Sequence, residues 1–144
     1  MEEYGLQRGQ NGLQVYLMAE LPSNVLLADK FAKYIDGFSI GSNDLTQLVL
    51  GLDRDSSLVA HIYDERNEAV KMMISSLIRS AKKAGVKVGI CGQGPSDFPD
   101  FAQFLVEEGI DTISVTPDSY FKTVQAIAKI QEQMQQEASM TKVA

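Results

Sequence analysis

The stretch Gly37-Phe-Ser-Ile-Gly-Ser-Asn-Asp-Leu-Thr-Gln47 decides how this chain is read. Gly37 to Ile40 suits a short buried strand, and Gly41 breaks it. Ser42, Asn43 and Asp44 then present three oxygen-bearing side chains at the strand's carboxyl end. The pattern recurs along the chain. Tyr16-Leu-Met-Ala ends at Glu20, Val86-Lys-Val-Gly-Ile ends at Cys91, and Thr112-Ile-Ser-Val leads to Asp118. In a parallel α/β protein the carboxyl ends of the strands gather on one rim, where reactive and ligating groups are placed.

Helical spacing fills the intervals. Pro22-Ser23-Asn24 opens a first helix with Ser23 or Asn24 as N-cap, carrying Val25, Leu26, Ala28, Phe31 and Ala32. A long connection from Asn43 to about Asn67 contains Leu45 to Leu50 and Asp53-Arg54-Asp55. Connections of that length are functional or hold short helical turns. Ile74, Leu77, Ile78 and Ala81 follow helical spacing, which predicts a helix from Glu68 to Ala84 closed by Gly85. Gly92-Gln-Gly-Pro95 predicts a turn, and Asp97 a cap for a helix over Pro99 to Glu108. A last helix starts near Tyr120 and includes Phe121, Val124, Ile127 and Ile130. Met18, Met72 and Met73 suit core packing. The domain is expected over residues 1–130, and the Gln/Glu-rich stretch 131–144, with few apolar anchors, is expected to fray. Four alternating β-α units predict a parallel sheet. It is either half of an eight-fold barrel or a small open sheet, and periodicity does not separate the two.

The totals narrow the function classes. A chain of 144 residues that is 44% hydrophobic suits one domain with a sizeable core. A net charge of −6 argues against nucleic acid or an acidic membrane surface as partner. The single cysteine leaves no internal disulfide and suits a reducing compartment. One Cys and one His exclude a zinc site of four Cys/His ligands. No apolar run of about eighteen residues suits a membrane span. Met1-Glu-Glu-Tyr lacks the features of a secretion signal, so the expected location is the cytoplasm.

Each candidate residue carries two readings. Glu20 and Asp44 either converge on a divalent cation such as Mg²⁺ or favour helix N-termini. Cys91 is either a small buried hydrophobe or a thiol facing a site beside a glycine turn. Arg54 suits a phosphate or carboxylate, or else a solvated salt bridge with its aspartate neighbours. His61 has no visible partner and is expected on a helix surface or loop.

Five motifs occur in order: Met18-Ala-Glu-Leu-Pro-Ser-Asn24, Gly37 to Gln47, Leu52-Asp-Arg-Asp55, Cys91-Gly-Gln-Gly-Pro-Ser-Asp97 and Gly109-Ile-Asp-Thr-Ile-Ser114. From about Gly5 to about Ile130 the chain resembles the C-terminal barrel of the phosphoenolpyruvate-utilising enzymes. That family holds phosphoenolpyruvate synthase (pyruvate, water dikinase), pyruvate, phosphate dikinase and enzyme I of the sugar phosphotransferase system. The turn after Cys91 is most similar to the synthase. The resemblance implies Glu20 and Asp44 as Mg²⁺ ligands. It implies Asn43 as a hydrogen-bond partner of the phosphoryl group or its leaving oxygen, and Arg54 as a contact to the phosphoryl group. Backbone amides near Ser42 and Asn43 would seat the carboxylate or phosphate. Cys91 would be the acid/base at the methyl carbon of pyruvate, whose enolate takes a phosphoryl group from a phosphohistidine.

In the family, ATP binds a separate domain and the phosphohistidine stands on another. Neither has a counterpart here: no Gly-rich nucleotide loop occurs, and His61 is not in a phosphohistidine-like motif. The first four βα units of the barrel are absent too. The resemblance therefore implies the second half of a TIM barrel, as a fragment or a split-gene product, incomplete and inactive alone. Such a half is expected to expose two sheet edges and an apolar inner face, and so to pair with a partner half or with itself as a homo-oligomer. The alternatives are a non-catalytic binding or assembly subunit, or a homodimerising fragment whose site residues are idle.

Overall fold

The computed structural model describes residues 2–141. The strands β1 (Tyr16–Ala19), β2 (Gly37–Gly41), β3 (Lys87–Cys91) and β4 (Thr112–Ile113) form one parallel sheet in the order β1-β2-β3-β4. That sequential order separates the two architectures left open by periodicity. A doubly wound open sheet reverses its order at a switch point, whereas a barrel adds each βα unit beside the last. The chain is α/β, with the topology of half of a (βα)8 barrel.

Alternate strand residues serve opposite faces. Phe38, Ile40, Val88 and Ile90 point to the helical side and are no more than 2% exposed. They pack with Val70, Ile74, Leu77, Ile78 and Ala81 of α4 (Glu68–Ala84), all fully buried. The Asn67 side chain accepts the Ala69 N–H at the start of α4, and left-handed Gly85 (φ 71°) ends it. The helix expected from sequence is matched at both ends.

The other strand face corrects the expected apolar inner surface. Tyr16 and Met18, each 45% exposed, are followed across the sheet by Ser39, Gly89, Cys91 and Thr112. The Tyr16 ring lies over Gly37, and the Thr112 hydroxyl lies over Gly89. Glycines are needed there because the neighbouring strand's side chain occupies the space a Cβ would fill.

Several helix details also differ from expectation. Leu21, not Ser23 or Asn24, is the N-cap of α1 (Pro22–Leu26), because Pro22 takes the first helical position, where no N–H is needed. Leu26 then faces solvent, as does Met72, and only Met73 of the methionines expected in the core packs against it. After α2 (Ala28–Phe31), the expected long connection begins instead as α3 (Ser42–Leu50). Asp97 closes α5 (Gly94–Asp97), and Phe98 precedes Pro99 at the start of α6 (Pro99–Glu107). β4 stops at Ile113, which leaves Asp118 in the turn Pro117–Ser119, away from any strand end. On α7 (Tyr120–Thr141) the buried stripe runs through Thr123 and Ile130, so Phe121 and Val124 point outward. The helix runs on to Thr141 with residues 131–137 exposed, and 142–144 lie outside the described residues.

The amino end of the sheet is fastened by a repeated device. Asp36, just before β2, accepts the Val15 N–H at 2.7 Å and the Arg8 Nε–H at 3.0 Å. Asp111, just before β4, accepts the Val88 N–H at 2.9 Å and the Lys87 ammonium at 3.3 Å. The backbone N–H bond is the main cause that holds each carboxyl below the usual aspartate value of 3.8. An acid so depressed contributes stability above its unfolded value, and loses it as pH falls through its folded value. The melting temperature is expected to fall as pH is lowered from about 5 to about 2. In an Asp36→Asn/Asp111→Asn double variant, followed by circular dichroism, that fall should be smaller. An equal fall in both proteins would contradict the assignment.

Candidate active site at the carboxyl rim

The carboxyl ends of β1, β2 and β3 meet in a cleft of about 210 Å³ lined by Met18, Glu20, Gly41, Asn43, Asp44, Cys91 and Gly92. Glu20 directly follows β1. Asn24 turns its side-chain oxygen back to accept the N–H groups of Glu20 (3.3 Å) and Leu21 (3.0 Å), which fixes the backbone there. A methyl group on Gly41 would stand 3.1 Å from a Glu20 carboxylate oxygen and 3.3 Å from the Met18 sulfur. Glycine at this position leaves the room that the carboxylate occupies.

The β2–α3 junction has no loop. Ser42, Asn43 and Asp44 form the first turn of α3, so its unpaired N–H groups and partial positive charge sit at the rim. Asp44 is in that first turn, yet no side-chain cap bond is made at the helix start. Arg54 Nη1 lies 3.9 Å from Asp44 Oδ1, with both side chains partly exposed. The Arg54 N–H donates to Gln47 Oε1 at 3.3 Å and folds the Leu52–Asp55 segment back on α3. Asn43 Oδ1 is buried without a hydrogen-bond partner. Its backbone carbonyl accepts the Tyr63 hydroxyl at 3.0 Å. Burial, then the nearby Glu65 charge, push Tyr63 up to about 12, so it stays a donor.

Cys91 ends β3 on the open face of the sheet and is partly exposed. The Ser39 hydroxyl donates to its sulfur at 3.5 Å, and the Ile40 carbonyl lies 3.4 Å away as an acceptor for S–H. The sulfur thus has a hydroxyl donor on one side and a carbonyl acceptor on the other. Met18 Sδ is 3.7 Å from the same sulfur. The Ser42 hydroxyl donates to the Cys91 carbonyl at 3.1 Å, and a Cβ on Gly92 (φ 137°) would overlap that hydroxyl.

Thus Glu20, Asn43, Asp44 and Cys91 come together in one cleft, with Ser42 buried beneath it and Arg54 reaching it beside Asp44. His61 is exposed on the turn Ala60–Ile62 and takes no part. Ser39 and Tyr63 were not singled out from sequence. Strand alternation carried a signal for Ser39, since Phe38 and Ile40 face the core. Tyr63 sits in an irregular segment and carried none. The Glu20 and Asp44 carboxylates in the cleft are oxygen donors of the kind Mg²⁺ takes. Among the described residues no group of three His, Cys, Asp or Glu forms a metal cage, so the remaining ligands would be water and substrate oxygens.

A family model described as PEP-utilising enzyme, PEP-binding domain, matches residues 2–132. The chain belongs to this PEP-binding domain family. Curated relatives of the domain include phosphoenolpyruvate synthase of Aquifex aeolicus, 69% identical over 134 residues, or 93% of this chain and 16% of that protein. The Escherichia coli phosphoenolpyruvate synthase is 59% identical over 128 residues, covering 89% of this chain and 16% of that protein. The chain thus spans about one sixth of the relatives it matches. Among solved structures, an HpcH/HpaI aldolase/citrate lyase family protein from Burkholderia cenocepacia aligns with a TM-score of 0.58 at 22% identity. The alignment covers 91% of this chain and 48% of that one, as half of a barrel should. Among the described residues no helix is long and apolar enough to cross a membrane.

Gly92→Ala tests the tight rim. It is expected to destabilise the domain by roughly 1–3 kcal/mol, because the backbone is left-handed and Ser42 must move. Gly51→Ala, also left-handed (φ 64°) but with nothing within 4 Å, should cost only about 1 kcal/mol. Urea titration of both variants checks the difference, and equal losses would contradict it.

Proposed function

We propose that this chain is the pyruvate/phosphoenolpyruvate- and magnesium-binding half-barrel of a phosphoenolpyruvate synthase. The whole enzyme would convert ATP, pyruvate and water to phosphoenolpyruvate, AMP and phosphate. The observation that carries this reading is the convergence of Glu20, Asn43, Asp44 and Cys91, from three successive βα units, on one cleft. The similarity to proteins named phosphoenolpyruvate synthase supports the synthase over other members of the family.

The chain's own residues divide the work. Glu20 and Asp44 would hold Mg²⁺, which when bound would supply a fixed positive charge to offset negative charge developing on the substrate. Cys91, as thiolate, takes a proton from the methyl carbon of pyruvate. The enolate oxygen then receives the phosphoryl group from a phosphohistidine on another domain. In reverse, the Cys91 thiol protonates the methylene carbon of phosphoenolpyruvate. Arg54 and the Asn43 side chain offer positive charge and a hydrogen bond to the phosphoryl group in transit. The first-turn N–H groups at Ser42 and Asn43 seat the carboxylate or phosphate.

ATP and the phosphohistidine belong to parts outside this chain, as do the first four βα units. A partner half or a second copy would cover Tyr16, Met18 and the β1 and β4 edges. A cytoplasmic, gluconeogenic role goes with the reading, and the free Cys91 suits a reducing compartment.

Oxalate, a planar mimic of enolpyruvate, tests the site directly. With Mg²⁺ present it is expected to raise the melting temperature of the chain, and without Mg²⁺ to leave it unmoved. Glu20→Gln and Asp44→Asn should each abolish the shift. A shift that persists in both variants would overturn the ligand assignment.

A further inference from the structure

Glu65 is a carboxylate with no role in the reading above, and it is 5% exposed. It lies in the short segment between Tyr63 and the start of α4, a segment that grips the rim from below. Tyr63 holds the Asn43 carbonyl. Asp64 and Arg66 pair with each other on the outside, and the Arg66 guanidinium lies 4.0 Å over the Phe98 ring. Glu65 points inward, between the Ser42 hydroxyl and the Gly94 N–H, the first residue of α5. A methyl group on Gly94 would stand only 2.7 Å from Glu65 Oε2, so the turn after Cys91 is packed directly on this carboxyl. Oε2 itself has no hydrogen bond of standard geometry. The Ser42 and Gly94 contacts therefore leave the carboxylate under-satisfied.

A serine hydroxyl has one proton to donate. With Glu65 ionised, its carboxylate and the Cys91 carbonyl, 3.1 Å from Ser42 Oγ, compete for that proton. With Glu65 protonated, the acid can donate to Ser42, and Ser42 in turn to the Cys91 carbonyl, which satisfies all three groups. We infer that Glu65 is a positioning residue for the site: its buried carboxyl decides which acceptor the Ser42 hydroxyl serves, and so sets the Cys91–Gly94 turn. Burial raises the carboxyl above the usual glutamate value, helped by Asp97 on α5 and the neighbouring Asp64, while Ser42 and Gly94 oppose the rise. Tyr63 is neutral in this range. The inference rests on the proposed function only for what the turn serves.

The test is an NMR pH titration of the amide signals of Gly92 and Gly94 in the ligand-free chain. Gly94 touches Glu65 directly, whereas Gly92 senses it only through Ser42. In the wild type both are expected to share one inflection above the ordinary glutamate value of 4.5. Glu65→Gln should remove it from both, and Ser42→Ala from Gly92 alone. An inflection at Gly92 that survives either change, or none at either glycine in the wild type, would overturn the inference. The wild-type and Ser42→Ala comparison stands if Glu65→Gln folds poorly. Glu65→Ala, which removes both the acceptor and the donor, is also expected to weaken Mg²⁺-dependent oxalate binding by about tenfold. Unchanged binding would refute the positioning role. The titration needs no ligand, so a failure of oxalate to bind the wild type would count against the proposed function and leave the titration to decide Glu65.

Discussion

The rim depends on one parallel register, which sets Gly41 of β2 beside Cys91 of β3. Core packing holds it, since Phe38 lies beside Val88 and Ile40 beside Ile90, all facing α4. A slip of one residue would turn Cys91 into the core and Ile90 out to the cleft. With the register fixed, the strand ends are level. The Ser42 hydroxyl reaches the Cys91 carbonyl, Ser39 reaches the thiol, and Glu20 lies against Gly41. The geometry of the rim is therefore a consequence of apolar pairing on the far side of the sheet.

The two ends of the sheet are built for different purposes. At the amino end, Asp36 and Asp111 have satisfied carboxylates, each bonded to a backbone N–H and a cation. At the carboxyl end, polar groups are left in need of partners: Asn43 Oδ1, Glu65 Oε2 and the first-turn N–H groups of α3. Unsatisfied buried polar groups destabilise a fold, and they persist where something else is meant to complete them. The contrast agrees with barrel proteins in general, whose amino face serves stability and whose carboxyl face serves function.

Much of this was legible in the sequence. The α4 helix was marked by a clean apolar stripe between Asn67 and Gly85, and the site residues by oxygen-bearing side chains at strand ends. Where the structure departs from the sequence pattern, the causes are physical. Pro22 and Pro99 took first-turn positions and displaced the expected caps by one to three residues. Helix α3 was hidden because its first turn is polar and reads as loop. The open sheet face was expected to be apolar, but three glycines there accommodate side chains from the neighbouring strand or the rim. Glu65 was silent, because nothing in Asp-Glu-Arg-Asn tells which of its charges turns inward.

The most direct test of the rim as a metal and substrate site is paramagnetic line broadening by Mn²⁺ in place of Mg²⁺, read residue by residue in the amide spectrum. The account predicts that sub-stoichiometric Mn²⁺ broadens Glu20, Asn43, Asp44 and Gly92 and spares Asp36 and Asp111 at the opposite end of the sheet. Broadening spread evenly over the acidic surface, or centred on the amino end, would contradict it.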